Sequence, residues 1–379
     1  MGILPQQKLN NSPKQAAGIQ PRKILFLDKV LIRGKKGTAV NGAERFNLQL
    51  LGYLQEHQIE TTIVAAHTWS NDISQLCSRG GLKHISLPHL FKVAWPNSLF
   101  TYLLLRTKIP QHNALIIGNV GKNILPLLRL QRKRAVFPKT LLLAHREASP
   151  FFLRMLRGLD LTIVAVNTKI AQGFLDAGFS DTHVYFGEIR REFFSPAQEF
   201  RSDPDTFNYC VFGNLDPEWK GSDIATRAFG LLPEEVRSRA KLHLAGFQWD
   251  LPRFADPRII AYPWLPENKT PSFLQEMDAV IVPSRDTGIM KETFSQASVQ
   301  AMLTGLPMIV SSLPILKEKV ADGGGLVFSD EQELAQHMST LFYDAPLRKQ
   351  LGRESVASAR KNFLWDTEHF IDSYLFPTI

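Results

Sequence analysis

Residues 279–307 read AVIVPSRDTGIMKETFSQASVQAMLTGLP, and this stretch decides the fold. Ala279 to Val282 is a short, unbroken apolar run, the pattern of a strand covered on both faces. A polar loop follows, then a helix ended by Gly305-Leu306-Pro307. Ser295 is placed to cap the helix start, Gly305 suits the position just past its end, and Pro307 forbids continuation. Strand, loop and helix in this order make half of a parallel crossover unit. In an open α/β sheet, ligands sit beyond the carboxyl ends of the strands. The unpaired amides of Ser295, Gln296 and Ala297 at the helix start would favour an anion there. Glu292, just ahead of them, would repel a bare phosphate and suits hydroxyl groups such as those of a sugar; a solvated loop glutamate is the alternative.

The same grammar extends in both directions. Tyr209 to Phe212, Lys241 to Ala245, Met308 to Val310 and Leu326 to Phe328 read as strands, with a helix over Ser222 to Leu231. Nearer the start, Lys23 to Asp28 is a strand and Gly34 to Gly42 a glycine-punctuated loop. From Ala43 to His57 a helix is marked by Phe46, Leu50, Leu51 and Leu54. Thr61 to Ala66, Ala114 to Ile117, Leu141 to Ala144 and Leu161 to Val166 are further strands. The polar, proline-bearing run Ser195 to Thr206 reads as a linker. The expected organisation is a loose tail over 1–21, a Rossmann-like domain over 22–198, a second over 199–361 and a terminal segment over 362–379.

Composition narrows the function. The chain has 379 residues, enough for two domains, and 44% of them are apolar. Two distant cysteines, Cys77 and Cys210, exclude a disulfide framework and fit a cytoplasmic location. No uncharged apolar run reaches the length of a membrane span, and the first 21 residues lack the apolar core of a secretion signal. Residues 1–200 carry 26 basic and 12 acidic side chains, a balance of +14, and the rest of the chain carries −6. The front half therefore attracts something anionic. Arg129, Arg132, Lys133, Arg134 and Lys139 lie among leucines, a pattern suited to an anionic membrane surface or to a solvated loop. The basic residues lack the interleaved aromatics of nucleic-acid binders, and no metal-ligand spacing, Walker loop or nucleophile elbow is present.

Pro283-Ser284, Glu292, Phe294, Gln300-Ala301-Met302 and Gly305-Leu306-Pro307 together resemble the donor-sugar motif of retaining glycosyltransferases of the family-four, group 1 type. Gln300 stands where that motif has its second glutamate, the residue that holds the nucleotide ribose. Asn41-Gly42-Ala43-Glu44 resembles the family's first glycine turn, where Gly42 lets the backbone approach the diphosphate or sugar. His145 resembles the active-site histidine at the end of a front-domain strand. Phe212 to Gly221 (FGNLDPEWKG) resembles a Gly-Arg-Leu…Lys-Gly turn: Gly213 and Lys220 match, and Asn214 replaces the arginine. Trp264 and Leu265 lie where relatives contact the base, although Trp264 also suits a core. Phe363 to Asp366, with Phe370, Tyr374 and Phe376, resembles the closing helices that return to the front domain.

The resemblance implies an α/β fold of the GT-B type, two Rossmann-like domains facing each other across a cleft. It implies a metal-independent retaining hexosyltransferase without a cofactor, using a UDP- or GDP-sugar as co-substrate. The acceptor would be a sugar or lipid-linked sugar hydroxyl in polysaccharide, lipopolysaccharide or glycolipid assembly, handled at the cytoplasmic face of a membrane. His145 and Glu292 would act on the sugar; Gly42, Gly213, Asn214, Lys220, Trp264, Leu265, Phe294, Ser295, Gln296 and Gln300 would bind the donor. An inert sugar-nucleotide binder is the alternative that Asn214 and Gln300 raise, and a basic nucleic-acid binder is a further one.

Overall fold

Short apolar runs that must bury both faces become parallel strands, and each such strand is reached through a crossover on one face of the sheet. The computed structural model describes residues 22–27, 42–66, 82–87, 111–118, 139–188, 194–196, 206–248, 250–288 and 292–376. In the first half these include strands β1 (Lys23–Leu27), β2 (Glu60–Ala66), β3 (Leu82–Leu87), β4 (Ala114–Ile117), β5 (Lys139–Ala144), β6 (Thr162–Ala165) and β7 (Thr182–Val184). They form one sheet in the order β3-β2-β1-β4-β5-β6-β7, every neighbour parallel. The second half forms a sheet from β8 (Phe207–Phe212), β9 (Ala240–Phe247), β10 (Ile259–Pro263), β11 (Ala279–Val282), β12 (Met308–Ser311) and β13 (Gly325–Phe328). Its order is β10-β9-β8-β11-β12-β13, again all parallel. The expected α/β class with two Rossmann-like sheets is therefore observed.

Three strands are additional to those read from the sequence: β3, β7 and β10. All three lie at sheet edges. An edge strand is not buried on both sides, so Lys83 and His84 can interrupt β3, and Pro263 can end β10 at a register shift. The glycine loop before Gly42, the tail over 1–21, the basic group Arg129 to Arg134 and most of the linker lie outside the described residues. The boundary expected at 198 falls there too; the last strand of the first sheet ends at Val184 and the next begins at Phe207.

The strand order reverses direction between β1 and β4 in one sheet and between β8 and β11 in the other. Those two points leave crevices at the strands' carboxyl ends, the place where such sheets bind ligands. The chain then returns to the first half after the Ala345–Asn362 helix. Trp365, Phe370, Ile371 and Leu375 are buried in one core with Ile24, Phe26, Phe46 and Leu50. Full burial of side chains of this size contributes about 1.5–3 kcal/mol each, so the return is part of the first domain's core. Tyr185 fastens it, its hydroxyl donating to the Asp366 carbonyl (2.9 Å) and accepting from the Asp366 amide (2.8 Å).

Two backbone crossings shape the second crevice. Gly246 has φ +131°, and a Cβ there would overlap the carbonyl oxygen of Gly213. Gly221 has φ +72°, and its Cβ would overlap the carbonyl of Pro283. Gly246→Ala is expected to cost about 2–4 kcal/mol, because strain and overlap act together. Gly173→Ala, in the Thr168–Asp176 helix with open space around it, should instead be neutral or stabilise by up to about 1 kcal/mol. Urea unfolding midpoints of the two variants against the parent check this pair.

Candidate functional site

The turn after β8 and the loop after β11 meet at the switch point of the second sheet. Lys220 closes a short 3₁₀ turn, Glu218–Lys220, that Gly221 ends in left-handed conformation. Its Nζ donates to Glu292 Oε2 at 2.6 Å and also lies 4.4 Å from the centre of the Trp219 ring. Ser284 Oγ donates to the same Glu292 oxygen at 3.5 Å, and the Ser295 amide donates to Oε1 at 3.2 Å. Arg285 secures the turn from the β11 side. Its amide donates to the Trp219 carbonyl, and its guanidinium pairs with Asp223 and Glu218, each at 2.9 Å. Lys220 and Glu292 are both mostly buried, with side chains 19% and 9% exposed, so their contact is shielded from solvent competition.

The helix that follows runs from Gln296 to Leu303, with Ser295 as N-cap accepting from the Ser298 amide. It ends as the sequence indicates: the Gly305 amide donates to Met302 and the Leu306 amide to Ala301. Of the three amides expected to be open at its start, that of Ser295 is taken by Glu292. Gly213 faces this helix start, 3.7 Å separating the Ala297 Cβ from where a Gly213 Cβ would stand. Asn214 Oδ1 accepts from the Asp216 amide at 3.3 Å, so the side chain at the arginine position shapes its own turn and carries no charge. Trp264 and Leu265 are half-buried just beyond β10, the Trp264 amide donating to Phe247 at 2.9 Å.

The 292–295 loop is also held from the first half of the chain. Asn167, the N-cap of the Thr168–Asp176 helix, donates Nδ2 to the Thr293 carbonyl at 2.7 Å. The Phe294 ring meets Phe186 edge-on at 4.5 Å. Phe186 in turn packs on Phe46 and on His145. His145 follows β5, is 7% exposed, and lies with Nε2 3.3 Å from Asn47 Oδ1. Burial pushes its imidazole from the ordinary 6.5 down to about 3, against a hydrogen bond with the Gly118 backbone. The ring is therefore neutral at physiological pH and offers a hydrogen bond rather than a charge. Gly118 directly follows β4, which puts His145 and Asn47 beside the switch point of the first sheet.

Two features depart from the sequence expectation. Gln300 is 2% exposed and donates Nε2 to Glu188 Oε2 at 2.9 Å, so its carboxamide is engaged with a carboxylate of the first half rather than standing open for a ribose. Glu188 is fully buried and is tied through its backbone to Phe363 and Trp365 of the returning segment. Lys220 and Glu292, expected on different parts of a donor, are paired with each other in this structure. A polar clasp also reaches Gln296 from the Gly42–Glu56 helix. Gln49 Nε2 donates to Glu267, Arg45 lies 3.5 Å from the same carboxylate, and Gln296 Nε2 donates to Gln49 at 3.4 Å. No spacing rule marks these residues, because they meet only when the two sheets face each other. Among the described residues no group of three or more His, Cys, Asp and Glu side chains is placed to hold a metal, and no helix is long and apolar enough to cross a membrane.

Two facing Rossmann-like domains, with the chain's end returned to the first, make the GT-B architecture of glycosyltransferases. Residues 206–344 match the profile of the family described as glycosyl transferases group 1. HepE of Anabaena, solved with UDP-glucose, is 17% identical with a TM-score of 0.67, over 90% of this chain and 95% of that one. Sucrose-phosphate synthase of Thermosynechococcus elongatus is 16% identical with a TM-score of 0.69, over 94% and 98%. A glycosyltransferase of Rickettsia africae is 13% identical with a TM-score of 0.72, over 95% and 100%. No curated protein matches the chain by sequence.

Two outcomes follow from this geometry. Gln300→Glu would set a second carboxylate against buried Glu188 and should cost about 3–5 kcal/mol, whereas Gln300→Glu with Glu188→Gln, which exchanges the two groups, should recover most of it. Denaturant unfolding of the single and double variants measures both. For His145 the unfolded ring takes up a proton below about pH 6.5 and the folded ring only near 3. Its contribution is complete above the unfolded value and lost as pH falls towards 3. His145→Gln should therefore narrow the stability difference between about pH 7 and pH 4.5 by about 2 kcal/mol, read from unfolding at each pH.

Proposed function

We propose that the chain is a retaining glycosyltransferase that moves a hexose from a UDP- or GDP-sugar to an acceptor hydroxyl. The observation that carries this reading is the Lys220–Glu292 pair, 2.6 Å apart at the switch point of the second sheet. A cation and a hydroxyl-accepting carboxylate side by side match the two ends of a sugar diphosphate. The proposed binding exchanges Lys220's present partner for the diphosphate and frees Glu292 for the sugar hydroxyls. In the reaction the bond from the anomeric carbon to the phosphate oxygen breaks, and the acceptor oxygen bonds to that carbon on the same face. The acceptor's proton passes to the leaving phosphate. The chain's part is positioning and charge stabilisation: Lys220 and the start of the Gln296–Leu303 helix face the departing charge, without a metal or other cofactor.

Trp264 and Leu265 would flank the base, and Gly42, Gly213, Phe294, Ser295 and Gln296 the donor backbone. Neutral His145 faces the sugar from the first domain as a hydrogen-bonding group. The UDP and UDP-glucose bound by HepE favour uridine as the first base to try. An acceptor in polysaccharide, lipopolysaccharide or glycolipid assembly, met at the cytoplasmic face of a membrane, fits the +14 balance of the front half. A second reading, a sugar-nucleotide binder with little turnover, is favoured by the uncharged Asn214.

Melting temperature with UDP, GDP and ADP identifies the base, since a ligand of the native state stabilises it. Lys220→Ala should weaken the bare diphosphate and the sugar nucleotide alike. Glu292→Gln removes the carboxylate that competes for Lys220, so it should keep or raise diphosphate affinity while cutting turnover about 10²–10³-fold. Calorimetric titrations and initial rates on each variant decide. Full-rate turnover by Glu292→Gln would sink the assignment, and nucleotide binding without turnover in the parent would favour the second reading.

A further inference from the structure

The Pro314–Lys319 helix delivers a lysine into the interior behind the donor loop. Lys319 is 1% exposed and among the largest fully buried side chains. Its Nζ lies 3.5 Å from the centre of the Phe294 ring and 3.7 Å from that of Phe363. Two aromatic faces present negative potential to an ammonium and do not neutralise it. A leucine or methionine would occupy this apolar site at lower desolvation cost, so the retained charge calls for a use. Phe294 is two residues from Glu292, and Phe363 begins the segment that returns to the first domain, so Lys319 stands where the donor loop, its own helix and the return meet. The charges that act on it are the Glu292 carboxylate from the loop and the Glu318 carboxylate on its own helix. Glu318 is within 3.5 Å of the Thr168 hydroxyl in the first half.

Lys220 reaches Glu292 from the cleft, and Lys319 meets the same loop from the interior, through the Phe294 ring two residues on. If Lys220 turns to a diphosphate, the contacts with described residues that Glu292 keeps are those with Ser284 and the Ser295 amide. Its carboxylate, 9% exposed in the present pair, would then need another partner. We propose that Lys319 is a positioning residue of the donor site: a buried ammonium, held between Phe294 and Phe363, that remains as counter-charge to Glu292 and fixes the loop once Lys220 engages the donor. This rests on the donor reading of the site.

Burial holds the Lys319 ammonium well below the ordinary lysine range, against the pull of Glu318 and Glu292. The charge is thus present at lower pH and lost as pH rises through the depressed value, so turnover should show an alkaline limb. The experiment compares the full-length parent with Lys319→Met and Lys319→Arg. It uses UDP and GDP titrations, melting temperature, and initial rates with UDP-glucose and GDP-mannose across pH. Lys319→Met should keep nucleotide affinity within about twofold and its melting temperature at or above the parent's, since a buried charge is replaced by an apolar group of similar length. Its kcat should fall about 10–100-fold below the parent's alkaline limb and approach the parent's above it, less than the loss of a directly contacting donor. Lys319→Arg should recover most of kcat and move the alkaline limb to higher pH, because a guanidinium stays charged. A Lys319→Met variant with parental kcat overturns the inference and leaves the donor reading standing; so does an arginine variant that shares the parent's limb. If Lys319→Arg fails to fold, the kcat of Lys319→Met decides alone. A parent that binds neither UDP nor GDP removes the donor reading and this inference with it.

Discussion

Every described strand in both sheets is parallel to its neighbours, and that constraint organises the rest of the molecule. A parallel strand cannot follow its neighbour through a tight turn, so the chain must cross a face of the sheet each time. Helices then cover both faces, and the loops at the strands' carboxyl ends are what remains free for chemistry. Where the order reverses, at β1/β4 and β8/β11, successive crossovers go to opposite faces and a crevice opens. Gly118 with Asn47 and His145 marks the first crevice; Gly213, Lys220, Ser284 and Glu292 mark the second.

The 292–295 loop gains its shape from both domains at once. Its own domain supplies Lys220, Ser284 and Lys319, and the first domain supplies Asn167 and Phe186. A relative movement of the two halves must therefore alter contacts at Thr293 and Phe294, the residues that follow Glu292. Buried contacts of this kind switch between discrete arrangements more readily than they stretch, because packed side chains deform little. The return of Trp365 and Phe370 into the first core makes the same coupling permanent at the far end of the chain.

Charge is distributed economically. The first crevice holds a neutral histidine, because Phe46 and Phe186 exclude the water that an imidazolium needs. The second holds a close ion pair backed by a lysine between aromatic rings. At the interface a carboxamide and a carboxylate, Gln300 and Glu188, share one hydrogen bond where two carboxylates would repel. Each arrangement gives its buried polar group a specific partner: a hydrogen bond for His145 and Glu188, an ion pair for Glu292 and aromatic faces for Lys319.

The amino-acid sequence by itself determined the parallel α/β class, the strands buried on both faces, the Ser295 cap and the Gly305 stop. These depend on local pattern: unbroken apolar runs, a hydroxyl at a helix start and a glycine at its end. Glu292 stood out by its place before the helix start, and Lys220 through the family resemblance of its turn. The edge strands β3, β7 and β10 escaped, since a strand with one open side has no obligatory apolar run. Tertiary structure alone decided who partners whom: Lys220 with Glu292, Gln300 with Glu188 across 112 positions, and Gln49 with Glu267 across 218. It alone put Lys319 between Phe294 and Phe363, in a short helix whose sequence PILKEK reads as a charged surface segment. The physical reason is the same in each case. A side chain's partners and exposure are set by the packing of elements distant in sequence, and local periodicity carries no record of which of those elements will meet.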